Sequence, residues 1–334
     1  GNKIMSAHAS STIDDEALHK ELARYVSHEG SRRPHVVLMI GPCRSGTTAI
    51  SRSVANAGMP VVYQKVKEAL RTVRLLSKPE EMDENLRADL LSVQVLPEES
   101  LRIPAGPVVF WKETLGGYTA LESSFDPVSM LLNAGWLPQE ISLITILRDP
   151  IVCLESWMKC FGKSGKSTVM ANFSTAMEAT QRIGERATKA GVQHIPFVYE
   201  AFCSSADFAM TRRADVEHEI GNDHACRVLV QLLRECNVDM SELNMFDGAT
   251  GWLRHTADKE SDTVFQKRFS GSFSRFHAAI AASDGLNYVQ PKSKEEIVDI
   301  LGAEVVKLAE KKFSEAYSKQ AVECKHWLRQ SYCE

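Results

Sequence analysis

Residues 41–48, with the sequence GPCRSGTT, join an apolar run at 36–40 to a segment with helical spacing. Glycine near each end of such a loop allows the backbone to turn tightly. The first N–H groups of a helix have no partner within the helix, and the helix dipole attracts negative charge. A strand, a glycine-bounded loop and a helix in this order therefore predict an anion-binding cradle.

This loop has the glycine spacing of a P-loop but departs from it at one position. Thr47 follows Gly46 where a nucleotide triphosphatase carries lysine, and the cation lies inside the loop, at Arg44. The lysine of a triphosphatase stabilises the transferring phosphate, so a loop without it is poorly suited to γ-phosphoryl transfer. Given the hydroxyls of Ser45 and Thr48 as well, we favour phosphate binding over the alternative of an ordinary turn.

The alternation of apolar runs with helical segments predicts the fold class. The runs are rich in β-branched or aromatic residues and are too short and too continuous for amphipathic helices, which is typical of buried parallel strands. They occupy residues 36–40, 108–111, 143–147 and 195–199. Segments with helical spacing lie between or after them, at residues 48–57, 152–161, 169–190 and 225–236. We therefore expect an α/β chain with three α/β/α layers around a central parallel sheet.

The remaining segments are predicted as additions to one domain that spans residues 1–334, with extra helices at both ends. Residues 1–33 form an N-terminal helical extension, whose helix starts at Asp14 and Asp15 and includes Val26. Residues 77–107 are acidic, polar and flanked by prolines, so we expect a helical excursion or lid there rather than a linker. Residues 293–334 form a C-terminal helical tail that is broken near Gly302.

The charge balance leaves any anionic ligand to a local site. Lys and Arg number 39 against 43 Asp and Glu, a net charge of −4, so we expect no nucleic acid or membrane partner. No apolar stretch is long enough to span a bilayer. The cysteines include no CxxC pair, and His218, His224 and Cys226 match no zinc spacing, so no metal site is predicted. Dispersed thiols and the lack of an apolar segment near the start favour a cytoplasmic location.

Two phosphate motifs together resemble those of a known family. Residues 44–48 (RSGTT) after a strand resemble the phosphosulfate loop of sulfotransferases that use 3′-phosphoadenosine-5′-phosphosulfate (PAPS). Residues 147–150 (LRDP) end another strand, with Ser156 on the next helix, and resemble the motif in which arginine and serine grip the 3′-phosphate. Side chains so placed can converge on one anion beside the sheet. The alternatives are an ion pair of Arg148 with Asp149 and a bond from Ser156 to its own helix backbone.

Two further landmarks follow in the family's order. Residues 198–200 (VYE) resemble a motif whose tyrosine lies near the adenine, and residues 267–271 (KRFSG) resemble the basic segment that closes over the 3′-phosphate. The resemblance implies a P-loop sulfotransferase-like fold that uses PAPS, releases 3′-phosphoadenosine-5′-phosphate (PAP) and requires no metal. The cofactor-binding residues that it implies are Arg44, Ser45, Gly46, Thr47, Thr48, Arg148, Ser156, Tyr199, Arg268 and Gly271.

The reacting centre of that family is matched only in part. Lys112 stands where the family has a lysine at a strand end, which implies that it stabilises charge on the departing phosphate. The family's base is a histidine two residues later or a glutamate one residue earlier, where this chain has Thr114 and Trp111. Glu113 is the nearest candidate base, since burial raises a carboxyl pKa, although a simple ion pair with Lys112 explains it equally well. The predicted catalytic residues are Lys112, Glu113 and Arg44.

We therefore expect a sulfotransferase that moves a sulfuryl group from PAPS to a hydroxyl or amine of a small-molecule or carbohydrate acceptor by in-line displacement. Two alternatives stay open: a small-molecule kinase that uses ATP and Mg²⁺, and a sulfotransferase-like scaffold that binds without turnover. Acceptor determinants are expected in residues 77–107, 118–137 and 248–276. Lys67, Arg71 and Arg74 share a helix face, which we interpret as a solvated stripe; steering of an anionic acceptor is the alternative.

Overall fold

The computed structural model describes residues 15–76, 101–202, 222–243 and 292–330, and these ranges contain seven β-strands and ten α-helices. The strands are β1 (Val26–His28), β2 (His35–Pro42), β3 (Val61–Tyr63), β4 (Leu101–Ile103), β5 (Val108–Leu115), β6 (Ile141–Leu147) and β7 (Gln193–Val198). The helices are α1 (Asp15–Ala23), α2 (Thr47–Asn56), α3 (Lys65–Leu76), α4 (Ala120–Ser124), α5 (Pro127–Asn133), α6 (Pro150–Phe161), α7 (Lys166–Lys189), α8 (Asn222–Glu235), α9 (Lys294–Leu301) and α10 (Ala303–Gln330).

A central sheet of five parallel strands has the order β3-β5-β2-β6-β7. At its centre, Val36 of β2 lies in register with Val109 on β5 and with Ile141 on β6. The three central strands are buried along nearly their whole length, as expected where helices cover both faces of a parallel sheet. The predicted α/β class with a central parallel sheet is confirmed, and each of the four predicted strands overlaps an observed one.

Alternate residues of the strands supply two apolar cores, one on each face of the sheet. Val36 and Leu38 of β2 pack in the core that includes α6 and α7. Val37 and Met39 pack in the opposite core, which includes α2 and α8. The sheet therefore lies between two layers of helices.

The C-terminal helix α10 contributes to both cores. Phe313 packs in the core on one face and Leu328 in the core on the other, so the helix passes from one layer to the next. Gly302, at a φ of +93°, separates it from α9. The helix is 28 residues long, but neither it nor any other helix in the described ranges is apolar enough to cross a bilayer.

Three local expectations differ from the structure. The N-terminal helix ends at Ala23, and Val26 instead begins β1, because β1 pairs with β4 in a separate two-stranded parallel sheet. Leu101–Ile103, expected in a helical excursion, is that partner strand, while residues 77–100 lie outside the described ranges. Tyr199, expected to end a strand, begins the 3₁₀ helix Tyr199–Phe202.

The direction in which the chain leaves the sheet reverses between β2 and β6. From β2 the chain continues through α2 to β3 on one side, and from β6 it continues through α6 and α7 to β7 on the other. Neighbouring strands whose connections diverge leave a crevice at their carboxyl ends, which is the usual ligand position in open α/β sheets. The loop at residues 41–48 and Arg148 both lie at this edge.

Replacement of Gln320 by Met tests how α10 is attached to the sheet. Gln320 is buried, and its side-chain amide donates to the carbonyl oxygens of Thr145 on β6 (3.1 Å) and Phe197 on β7 (2.5 Å). Methionine has a similar shape but no donor, so we expect Gln320→Met to lower the free energy of unfolding by about 1–3 kcal/mol in urea denaturation. Glu323→Gln, on the exposed side of the same helix, serves as control and should change it by less than about 0.5 kcal/mol. Equal stability of the two variants would contradict this attachment.

Candidate functional site

The loop between β2 and α2 presents backbone N–H groups at the crevice. Arg44 has a φ of +72° and Gly46 a φ of +89°, so both adopt the left-handed conformation. Gly46 is the N-cap of α2 and provides no side-chain cap. Among the described residues, the N–H groups of Gly46, Thr47 and Thr48 have no acceptor. These amides, at the positive end of a helix, form an arrangement that binds an anion.

Both glycines of the loop are required by close contacts with neighbouring elements. A Cβ atom on Gly41 would lie 2.2 Å from the carbonyl oxygen of Ile146 on β6. A Cβ atom on Gly46 would lie 2.2 Å from the ring of Tyr199, so that ring packs directly on the loop. A side chain at Gly41 would push against the backbone of β6, and one at Gly46 would force the Tyr199 ring or the loop to shift.

Two of the predicted loop residues are buried and help to build the loop itself. The Ser45 hydroxyl donates to the Pro42 carbonyl at 2.7 Å, inside the turn. Thr47 occupies the first position of α2 and is 2% exposed. Thr47 therefore offers a ligand its backbone amide rather than its hydroxyl, whereas the Ser45 N–H already donates to the Pro42 carbonyl at 3.2 Å.

Two arginines and a serine from three elements meet beside this loop. The Arg44 side chain donates from Nε to the Ser156 hydroxyl on α6 at 2.8 Å. Arg148, at the end of β6, lies 3.4 Å from the Arg44 carbonyl oxygen and 5.4 Å from the centroid of the Tyr199 ring. In the part of the chain that the structure describes, neither arginine has a carboxylate within ion-pair distance.

The two structural alternatives for this cluster are not observed. Asp149 does not pair with Arg148; it caps α6 by accepting from the N–H groups of Ile151 (2.9 Å) and Val152 (3.0 Å). Ser156 bonds to the loop arginine instead of to its own helix. The structure therefore brings Arg44, Arg148 and Ser156 together beside the loop, and the nearby Glu200 carboxyl interacts electrostatically with Arg148 without forming an ion pair in the described ranges.

Lys112 approaches the loop from the other side; it was expected at a strand end, but it lies within β5, which continues to Leu115. It is 1% exposed, and its Nζ donates to Gln64 Oε1 at 2.7 Å and to Thr48 Oγ1 at 3.2 Å. The same Nζ lies 4.3 Å from the centroid of the Tyr63 ring. The sequence interpretation missed Tyr63 and Gln64. Tyr63 ends β3 and Gln64 follows it, and this strand of three residues is too short to give a periodic signal.

A second buried lysine lies close to Lys112. Thr114 Oγ1 donates to Gln64 Oε1 (2.5 Å) and accepts from Lys67 Nζ (3.1 Å), and Lys67 Nζ also contacts Cys43 Sγ in the loop. Lys67 is fully buried, so its interpretation as part of a solvated stripe is wrong. Its position near the start of α3, against β5, turns the side chain inward.

Glu113 faces away from Lys112, because successive side chains of a strand point to opposite faces. Its carboxylate accepts from the N–H groups of Val66 (2.8 Å) and Lys67 (3.3 Å) in the first turn of α3, and from the Trp111 indole (2.9 Å). Burial raises the pKa of Glu113 to about 7, against the opposing effect of these donors and of Lys112. The geometry is that of a helix cap, and the role of Glu113 as a base stays a prediction.

Burial shifts the pKa of two carboxyl groups near the crevice. Burial raises the pKa of Glu200, whose Oε1 accepts from the Asp149 N–H at 2.9 Å, as it raises that of Glu113. Arg44, Arg148 and Lys112 thus place three cationic side chains around the loop of a chain whose net charge is −4.

Arg268 and Gly271, implied as cofactor-binding residues, lie outside the described residues. Within the described ranges, no group of three or more His, Cys, Asp or Glu side chains is placed to hold a metal ion. No protein-family model matches the chain, and neither does any curated protein.

The raised pKa of Glu113 predicts a pH-dependent stability. Between pH 4.5, its ordinary pKa, and about 7, the folded state binds more protons than the unfolded state, so the free energy of unfolding contributed by Glu113 falls as pH rises. Urea denaturation of the wild type and Glu113→Gln over this range should give a stability difference that changes by up to about 3 kcal/mol. His194, whose pKa burial lowers to about 4, acts in the opposite direction but equally in both proteins. A pH-independent difference would contradict the burial of an ionisable carboxyl at this position.

Proposed function

We propose that the crevice between β2 and β6 binds PAPS and that the chain is a sulfotransferase with a P-loop sulfotransferase-like fold. The observation that carries the proposal is the convergence of Arg44, Arg148 and Ser156, from separate elements, beside a loop with free N–H groups. The two phosphate motifs recognised in the sequence thus become one continuous surface. The acceptor is proposed to be a hydroxyl or amine of a small molecule or carbohydrate.

The described residues fit a nucleotide with phosphate groups at the 3′ and 5′ positions of its ribose. Arg148 and Ser156 would hold the 3′-phosphate, with Arg44 adding a second guanidinium through its bond to Ser156. The N–H groups of Gly46 and Thr47 would hold the 5′-phosphate at the start of α2. Tyr199, which packs on Gly46, would lie at the side of the adenine.

Lys112 is proposed to stabilise the charge that develops when the sulfuryl group leaves. When bound, PAPS supplies an activated sulfuryl group whose bond to the 5′-phosphate breaks as the acceptor attacks. The Lys112 ammonium is held beside the loop by Gln64 and Thr48, in surroundings almost free of water, where a fixed charge acts strongly. Glu113 would stabilise the position of Gln64, and through it that of Lys112, by capping α3, the helix that follows Gln64.

The contacts of Thr48 also favour a sulfotransferase over a kinase. In P-loop triphosphatases the hydroxyl at this position of the loop binds Mg²⁺. Here Thr48 Oγ1 accepts from the Lys112 ammonium at 3.2 Å, and a cation held there repels a second one. The missing lysine at position 47 and this contact both favour PAPS over ATP with Mg²⁺. A cytoplasmic location stays a prediction from composition.

Arg148→Ala tests the proposed 3′-phosphate contact. We expect this variant to weaken PAP binding by about 10- to 100-fold in isothermal titration calorimetry, since a charge-assisted contact contributes roughly 1.5–3 kcal/mol. Lys159→Ala is the matched control, because it removes the same charge from α6 at a residue that pairs with Glu155 (2.6 Å) instead of facing the loop. The control should bind PAP as tightly as the wild type. Equal losses in both variants would show that only long-range charge acts, and no PAP binding by the wild type would refute the proposal.

A further inference from the structure

Lys67 and Cys43 form a buried pair that the proposed reaction does not use. Lys67 lies on α3 and Cys43 in the loop at residues 41–48, and Lys67 Nζ is in direct contact with Cys43 Sγ. Lys67 is fully buried and Cys43 is 7% exposed. The two residues are distant in sequence, so α3 and the loop are brought together by the fold.

The surroundings of Lys67 are unusual for an ammonium group. It has three N–H donors, and its neighbours in the described structure are the Thr114 hydroxyl (3.1 Å) and the Cys43 sulfur. No carboxylate lies within ion-pair distance of Lys67 Nζ in the described ranges. A buried ammonium without a counter-charge is costly, so the adjacent sulfur is stabilised in its anionic form.

The sulfur also contacts a backbone carbonyl. The Cys43 thiol can donate to the Gly116 carbonyl oxygen, which lies 3.4 Å from Sγ. The N-terminus of α2, a few residues further along the loop, also favours negative charge on the sulfur. A thiolate is the form of cysteine that reacts with peroxides.

We propose that Cys43 and Lys67 are a redox-modification site, where a peroxide joins Sγ to Nζ through one oxygen atom in an S–O–N bridge. In the first step the O–O bond of hydrogen peroxide breaks, one oxygen binds Sγ to give a sulfenic acid, and the other leaves as water. In the second step an N–O bond forms between Nζ and the sulfenic oxygen, while a second peroxide takes up the electrons and becomes two waters. The ammonium releases its extra proton to solvent. Sulfur and nitrogen are thereby oxidised by the peroxide.

The bridge would regulate the proposed nucleotide site. This regulation rests on the proposed function, whereas formation of the bridge is independent of it. It would replace a buried positive charge with a neutral group and tie the loop to α3. Both effects act on the loop whose amides would hold the 5′-phosphate. We therefore expect the oxidised protein to bind PAP more weakly than the reduced protein, and dithiothreitol to restore binding.

Intact-mass and peptide-mapping mass spectrometry of the folded wild-type chain, treated with hydrogen peroxide at low excess, tests the bridge. We expect a product that has gained one oxygen and lost two hydrogens, with the peptides that contain Cys43 and Lys67 joined, and reversal by dithiothreitol. Cys43→Ser should abolish the product. Cys153→Ser should retain it, since the thiol of this second buried cysteine donates to the Cys43 carbonyl at 3.3 Å and makes no hydrogen bond with Lys67 in the described ranges.

Several results would overturn the bridge: oxygen addition without loss of hydrogen, a disulfide that includes Cys43, or no reaction of the folded wild type. Because this measurement uses the wild-type protein, it does not require any variant to fold. PAP titration of the same oxidised and reduced samples separates the two proposals. A bridge in a protein that binds PAP in neither state would refute the proposed function alone, and PAP binding without any bridge would refute this inference alone.

Discussion

The loop at residues 41–48 keeps its shape because two neighbours pack against its glycines. The Ile146 carbonyl packs against Gly41, and the Tyr199 ring packs against Gly46. Neither contact leaves space for a Cβ atom on the glycine. The left-handed backbone at Arg44 and Gly46 turns the following amides toward the crevice. The chain reversal between β2 and β6 then places Arg148 beside those amides, so the proposed binding surface depends on the contacts of the loop with Ile146 and Tyr199.

Buried charge gives this surface its chemical character. Lys112 and Lys67 are both almost completely removed from solvent, while burial keeps the pKa values of Glu113 and Glu200 above their ordinary range. Electrostatic attraction is stronger in such surroundings than in water, which suits a polyanionic ligand. The same burial places Lys67 against a loop cysteine, and this is the pair that we propose to be oxidised.

Long, continuous patterns could be predicted from the sequence, whereas short or long-range features could not. The apolar run at 36–40 and the glycine spacing after it located β2 and the loop, because both signals are local. The three-residue strands β1, β3 and β4 were missed, since partners distant in sequence stabilise them. The contact between Arg44 and Ser156 could be anticipated only because each residue belongs to a recognisable motif. The burial of Lys67 could not be predicted from the sequence, because this burial results from the packing of α3 on β5.

Calorimetric titration of the wild-type protein with PAP and with ADP tests the proposed site most directly. Both ligands contain adenosine and two phosphates, but PAP carries one of them at the 3′ position and ADP carries both at the 5′ position. A site built from Arg148, Ser156 and the loop amides predicts that PAP binds without Mg²⁺, at least about tenfold more tightly than ADP, a difference of roughly 1.4 kcal/mol. Tighter binding of ADP, or binding that requires Mg²⁺, would contradict the account and favour a phosphoryl-transfer site.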